Sequence, residues 1–409
     1  MKTRQYLCAV LLVVLLAGLF FLIPTVGTPV GQGEFRAYWS ASYLLAHREN
    51  MYDGDQILRV QTTYTGFTGD KPFLTLSPPW TVLILIPFTF LSFARAAWIW
   101  LSINTLLLGA SAILLWQIAS IQNAVRKHIW IPLLAAYAFS MNLTAIANGQ
   151  TTVFVLAMIA VFLTCEQKRY DLLAGITIAA TLVKPQIVFV TLVVIALYVL
   201  RTRRWQMAIG FGGTVVLTAL VLWAIRPSWL QDYLASAATA NLLGWESSNL
   251  GGILFLMTGW IGVRFLSLIA VPLVVLACMR WGTKQNFRIF IDASLLLSLI
   301  TAPYGFSYDQ TTLLVPILTL LALGVRGVFQ TWDRIAIAGA LVTANVLSYY
   351  QRVTTSNDVY FFWLPLFIGV IYVYCIARTS QTVSEYVRRA TRRWIPLAQA
   401  SNTSLRKAR

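Results

Sequence analysis

At 409 residues, with 58% hydrophobic and only 11% charged residues and a mean hydropathy of +0.71, the chain is too apolar for a soluble domain, where about 45–50% apolar usage is ordinary. A formal charge of +17 would suit a nucleic-acid partner if the basic residues clustered, but they are spread over short segments between apolar runs and over a basic tail (Arg378, Arg388, Arg389, Arg392, Arg393, Arg406, Lys407, Arg409). That distribution is the positive-inside signature of a multi-pass membrane protein whose tail can touch anionic lipid, and no nucleic-acid partner is expected.

The first apolar run, 6–24, follows Lys2 and Arg4, exceeds a signal peptide's apolar core and lacks a small-residue cleavage site, so a retained helix is expected. After it comes GEFRAYWSASYLLAHRENMYDGD (33–55), unusually rich in charge for this chain. Phe35, Trp39 and Tyr43 recur at i, i+4 and i+8 on one helical line, with Glu34 and Tyr38 on the neighbouring line. A short helix on the membrane surface with its aromatics at headgroup level fits, Gly31 and Gly33 allowing the turn out of the first span. A bare aromatic anchor would need no carboxylate beside an arginine. Asp53-Gly54-Asp55 has the D-x-D spacing of metal-binding nucleotide-sugar enzymes, but it is also ordinary turn chemistry and no nucleotide-binding domain accompanies it.

Further apolar runs lie at 79–92, 96–118, 129–146, 151–165, 171–183, 186–200, 207–225, 253–278, 289–301, 310–325, 335–349 and 359–377. NGQTT (148–152) and VKPQ (183–186) place Asn148, Gln150, Lys184 and Gln186 at mouths of spans, where polar groups can snorkel or bind a sugar phosphate. TAPYGFSYDQTT (301–312) adds Tyr304, Tyr308, Asp309 and Gln310: rings for stacking and partners for hydroxyls. Arg288 and Asp292 read as a simple i,i+4 pair. Cys8, Cys165, Cys278 and Cys375 sit in apolar runs as reduced packing residues, and His47 and His128 show no paired-ligand spacing.

Arginine and lysine at 201–204, 280–288, 326–334 and the tail alternate correctly if all are cytoplasmic, leaving 226–252, 302–309 and 350–358 external. Two cytoplasmic termini require an even number of crossings, so about twelve of thirteen runs span; the exception is either 79–92, opening at Ser77-Pro78-Pro79, or 129–146. Nine carboxylates (Glu34, Glu49, Asp53, Asp55, Asp70, Asp232, Glu246, Asp309, Asp358) then fall on external segments. The expected architecture is all-α: one polytopic transmembrane domain over 1–377, with an external loop at 25–77 carrying an interfacial helix, and a cytoplasmic tail over 378–409.

In order, GEFRAYWSASYLLAHRENMYD, LSPPW, NGQTT, KPQ followed by an apolar run and RTRRW, and APYGFSYDQ resemble glycosyltransferase family 87, membrane enzymes of the GT-C superfamily that include polyprenol-phosphate-mannose-dependent α-1,2-mannosyltransferases. The resemblance runs over most of residues 1 to about 380. It implies a GT-C fold, a sugar donor linked to a lipid phosphate, and a base in the first external loop. Glu34 stands where the family usually has Asp, one methylene shorter, and Asp53, in the family's Tyr-Asp position, is the reserve. Lys184 and Arg36 would meet the donor phosphate, and Tyr38, Trp39, Tyr52, Asn148, Gln150, Gln186, Tyr304, Tyr308, Asp309 and Gln310 would bind substrate, with no metal or other cofactor. The expected activity is inverting hexose transfer, mannose first, to a lipid or glycan acceptor on the external face of a bacterial plasma membrane. A transporter or flippase of the same lipid-linked sugars is the rival, but it would be expected to carry ionisable groups along a path near the bilayer midplane, and the apolar runs are nearly free of charge.

Overall fold

The computed structural model describes residues 29–119, 128–240, 242–282, 286–355 and 357–379. The expected first span, Cys8, and the tail beyond 379 lie outside the described residues. Within them the protein is all-helical and the helices follow the apolar runs closely. Five are long and apolar enough to cross a membrane: Phe93–Ala119, Trp205–Ile225, Ile261–Trp281, Ser307–Val325 and Asp358–Thr379. Shorter apolar helices, Pro79–Phe90, Thr152–Gln167, Asp171–Val183 and Phe189–Thr202, pack among them.

Of the two segments between which a single exception was expected, both are irregular. Pro79 opens a seven-residue helix at the position where its missing N–H costs nothing, and that helix tightens into a 3-10 turn over Ile86–Phe90. The run at 129–146 is two helices, Trp130–Ala138 and Ser140–Ala147, bent by 63° at extended Phe139. A break in an apolar setting strands backbone groups that must be satisfied inside the protein. Asn345, on the helix Thr331–Thr354, does this from both sides: it donates to the Ala138 carbonyl at 2.8 Å and accepts the Ser140 N–H at 2.8 Å.

Packing is tightest where side chains vanish. A Cβ on Gly175 would lie 2.0 Å from the Met207 carbonyl oxygen, and one on Gly210 2.2 Å from that of Leu172, so Asp171–Ala180 and Trp205–Ile225 cross backbone to backbone. At one end of these helices Arg204 binds Asp171, Glu166 and the Tyr198 hydroxyl, joining four helix ends. The Arg288–Asp292 pair is more than a surface contact: its N···O distance is 3.0 Å, Asp292 is fully buried, and the Tyr372 hydroxyl also donates to it at 3.1 Å.

One large apolar cluster fills the bundle, and a second surrounds the helix Gly33–Ala46. This helix forms where the aromatic spacing predicts it, but its aromatic line faces protein. Phe35 stacks on Phe93 and Trp100 at centroid distances of 6.1 and 5.8 Å, and the Trp39 indole donates to the Phe88 carbonyl at 3.0 Å. The segment 79–100 covers the surface that was expected to meet headgroups, because burying three large rings against rings removes more apolar area from water than an interface can.

Candidate active site

Glu34 starts the buried helix, and its position is set by main chain. Its N–H donates to the Asn148 carbonyl at 2.8 Å, while the Gly31 N–H donates to that of Ala147 at 2.6 Å. The next residue, Gly149, has φ +68°, and a Cβ there would fall 2.6 Å from the Gly31 carbonyl oxygen and 2.7 Å from Phe35 Cβ; only glycine fits. The end of the broken helix pair thus holds the start of the Glu34 helix. The Trp100 indole, donating to the Gly149 carbonyl at 2.8 Å, closes the joint.

Around the Glu34 carboxyl group lies a half-open cleft with a cavity volume of about 100 Å³. Tyr38, Lys184, Gln186, Tyr304 and Tyr308 line it with Glu34, five of the expected substrate or phosphate residues. The Tyr308 hydroxyl donates to Glu34 Oε1 at 3.3 Å. Lys184, buried, donates to Asp309 Oδ1 at 2.7 Å and Gln150 Oε1 at 2.8 Å, with its ammonium 4.7 Å from the Tyr308 ring centroid. Tyr38 donates to the same Gln150 oxygen at 3.0 Å, and Asp309 is held further by the Thr152 hydroxyl and the Phe306 N–H. Two of the three ammonium protons of Lys184 are therefore engaged, and one remains for a ligand.

Burial pushes the Glu34 carboxyl group up to about 7; Lys184 and the Tyr308 hydrogen bond oppose this, and the negative charges of Asp309 and Asp358 add to it. A carboxyl group that titrates near neutrality is suited to accept a proton.

Other expected residues serve the framework. The Asp53 side chain caps Gly54–Tyr64, accepting the N–H groups of Asp55 and Gln56 at 3.0 and 3.1 Å. Arg36 lies 5.3 and 5.6 Å from the ring centroids of Phe67 and Phe93 and does not line the cleft. Tyr52 donates to the Ser77 carbonyl at 2.8 Å, and Gln310 donates to the carbonyls of Ser248 and Phe361. Asn148 contributes its carbonyl, and Trp39 packs behind the site.

Three contributions escaped sequence reasoning. The segment 73–78 forms a whole wall of the cleft, and Trp245 and Phe306 form part of another. Arg352 and Asp358 grip Ser307, beside Tyr308, with Asp358 accepting the Ser307 hydroxyl at 2.9 Å. Trp245 could have been suspected as an aromatic in a segment read as external, and residues 76–78, Phe306 and Asp358 fall in motifs or among external carboxylates noted in the sequence without being assigned to the cleft; residues 73–75 and Arg352 carry no local signal.

The family model described as "Glycosyltransferase family 87" matches residues 76–303, more than half of the chain. The chain belongs to glycosyltransferase family 87. It is accordingly a membrane glycosyltransferase, and the matched span includes Gln150, Lys184, Gln186 and the broken helix pair that seats Glu34. No curated protein matches this family 87 chain. Among solved structures it is similar to ArnT from Cupriavidus metallidurans in the apo state, at 14% identity and a TM-score of 0.40, over 93% of this chain and 78% of that one.

Proposed function

We propose that this family 87 member is an inverting GT-C-type transferase that moves a hexose, mannose first, from a polyprenyl-phosphate donor to a lipid or glycan acceptor at the external face of a bacterial plasma membrane. One observation carries this reading: Glu34 and Lys184 meet in a cleft that borders an apolar groove. The groove, with a cavity volume of about 210 Å³, lies between Trp80, Leu83, Ala180, Leu182, Val215 and Thr218, and Val183 lines both spaces. The Trp80 indole donates to the Leu182 carbonyl at 2.7 Å and the Thr81 hydroxyl to that of Val183 at 3.1 Å, which ties the groove's two sides beside the cleft. A ligand with a long apolar chain and a phosphorylated sugar suits that pair of spaces.

In this mechanism Glu34 takes the acceptor hydroxyl proton as the oxygen attacks the anomeric carbon. The bond from that carbon to the phosphate oxygen breaks on the opposite face, inverting the centre. The electron pair leaves with the phosphate, and the remaining Lys184 N–H meets its charge. Tyr308 orients the base, and Asp309 with Gln150 holds Lys184 in place.

The test supplies purified protein with polyprenyl-phosphate mannose, glucose or arabinose and candidate lipid or glycan acceptors, and measures release of polyprenyl phosphate. Transfer sustained by a nucleotide sugar with no lipid carrier present would reject the assignment.

A further inference from the structure

The wall 73–78 is built unlike the rest of the cleft. Residues 72–76 have no regular secondary structure, and the main chain of 68–77 makes no hydrogen bond to other main chain among the described residues. Extended chain in that state does not hold a shape by itself. Gln61, on Gly54–Tyr64, supplies what a neighbouring strand would. Its side-chain amide donates to the Phe73 carbonyl at 2.8 Å and accepts the Phe73 N–H at 2.9 Å. Gln61 is fully buried, and its amide oxygen and nitrogen are each engaged with this single residue. Tyr52 fixes the other end through Ser77, and between the two pins the strap lines the cleft.

This strap borders the cleft but no part of the apolar groove. Its first residues, Phe73 and Leu74, are 39% and 41% exposed, so it forms an open rim of the cleft on the side away from the groove.

We propose that Gln61 is a positioning residue for the acceptor: by clamping Phe73 it sets the wall against which the acceptor's hydroxyl-bearing part is placed beside Glu34, while the donor, seated from the groove, does not depend on it. The inference rests on the reading of the cleft as the transfer site.

Full-length protein in nanodiscs, assayed with the donor and acceptor that support transfer, tests it through three variants. Gln61→Leu removes both hydrogen bonds and should raise the acceptor KM roughly tenfold or more, leaving kcat, the donor KM and slow donor hydrolysis without acceptor within about threefold. Tyr52→Phe, which loosens the second pin and keeps the ring, should raise the acceptor KM in the same direction by less. Gln61→Glu separates clamping from general damage. Its ionised carboxylate accepts the Phe73 N–H but repels the Phe73 carbonyl, whereas its protonated form restores both bonds. Its acceptor KM, relative to wild type at the same pH, should therefore return toward one between pH 8 and pH 5. A Gln61→Leu enzyme with unchanged acceptor KM would overturn the proposal, as would a Gln61→Glu ratio that does not move with pH. If wild-type protein neither transfers nor hydrolyses any lipid-linked donor, the transfer reading fails first, and that outcome is distinct from both.

Discussion

Glu34→Gln separates two consequences of burying one carboxyl group. A rise from the ordinary 4.5 to about 7 means that ionised Glu34 is disfavoured in the folded protein by up to ~3 kcal/mol. Because the folded-state value lies above the unfolded one, the folded chain holds the extra proton between about pH 4.5 and 7. Stability therefore falls as pH rises through that window and levels off above it. Gln keeps the volume and can still accept the Tyr308 hydrogen bond, but it never ionises. The variant should melt above wild type at pH 8, with the gap closing at pH 5; ~3 kcal/mol is an upper bound, since the half-buried side chain opens on the cleft. Transfer should fall by a factor on the order of 10² or more, the usual contribution of a general base. Wild-type kcat/KM should rise with pH to a plateau above about 7. Polyprenyl phosphate release and thermal melts at pH 5 and 8 read all of this from one preparation. Near-normal turnover by Glu34→Gln, or a wild-type rate flat from pH 5 to 8, would refute the reasoning.

Lys184→Met strands buried Asp309 and should destabilise the fold by roughly 3–5 kcal/mol; adding Asp309→Asn should recover melting temperature but not transfer, separating the structural pair from the phosphate role. Asp53→Asn keeps an equally good helix cap and should leave both Tm and turnover near wild type, whereas Asp53→Ala should cost about 1 kcal/mol of stability with little change in kcat; a dead Asp53→Asn enzyme would return the base role to Asp53. Val215→Trp, filling the apolar groove, should raise the KM for long-chain donors more than for short-chain ones, and equal effects on both would count against the groove. Single cysteines at exposed Thr63 and Glu246, in a chain without the native four, should react with an impermeant thiol reagent in intact cells; labelling only after lysis would reverse the topology.

Much of the helical architecture was legible because each element rests on a periodic signal within its own segment. Apolar runs marked the helices, and Pro79 and the polar end at Asn148 marked two alternatives for one irregular segment, both of which are irregular. The members of the site were legible for a similar reason: Glu34, Lys184 and Tyr308 are polar residues at edges of apolar runs. Their arrangement was not. Nothing near Lys184 announces that Asp309, 125 positions on, accepts from it, and nothing near Glu34 announces Tyr308, 274 positions on. The aromatic line of Phe35 and Trp39 misled for a related reason: a spacing of four shows which residues share a face, but not whether lipid or Phe93 and Trp100 will cover it.

The main-chain joint between Glu34 and Asn148 also has a consequence for biogenesis. Glu34 is translated before any of the residues that give it its place. The helix that carries it must wait until 147–149 arrive to receive its N-terminus, then for Lys184 to supply the opposing charge, and for Tyr308 to hold the carboxyl group. Whatever the pace of insertion, a chain stopped short of the 307–313 turn has the Glu34 carboxyl group but lacks the Tyr308 hydrogen bond that orients it. The cleft around Glu34 is completed late in synthesis, when the last third of the chain folds back onto the first, and under the proposed mechanism transfer would begin only then.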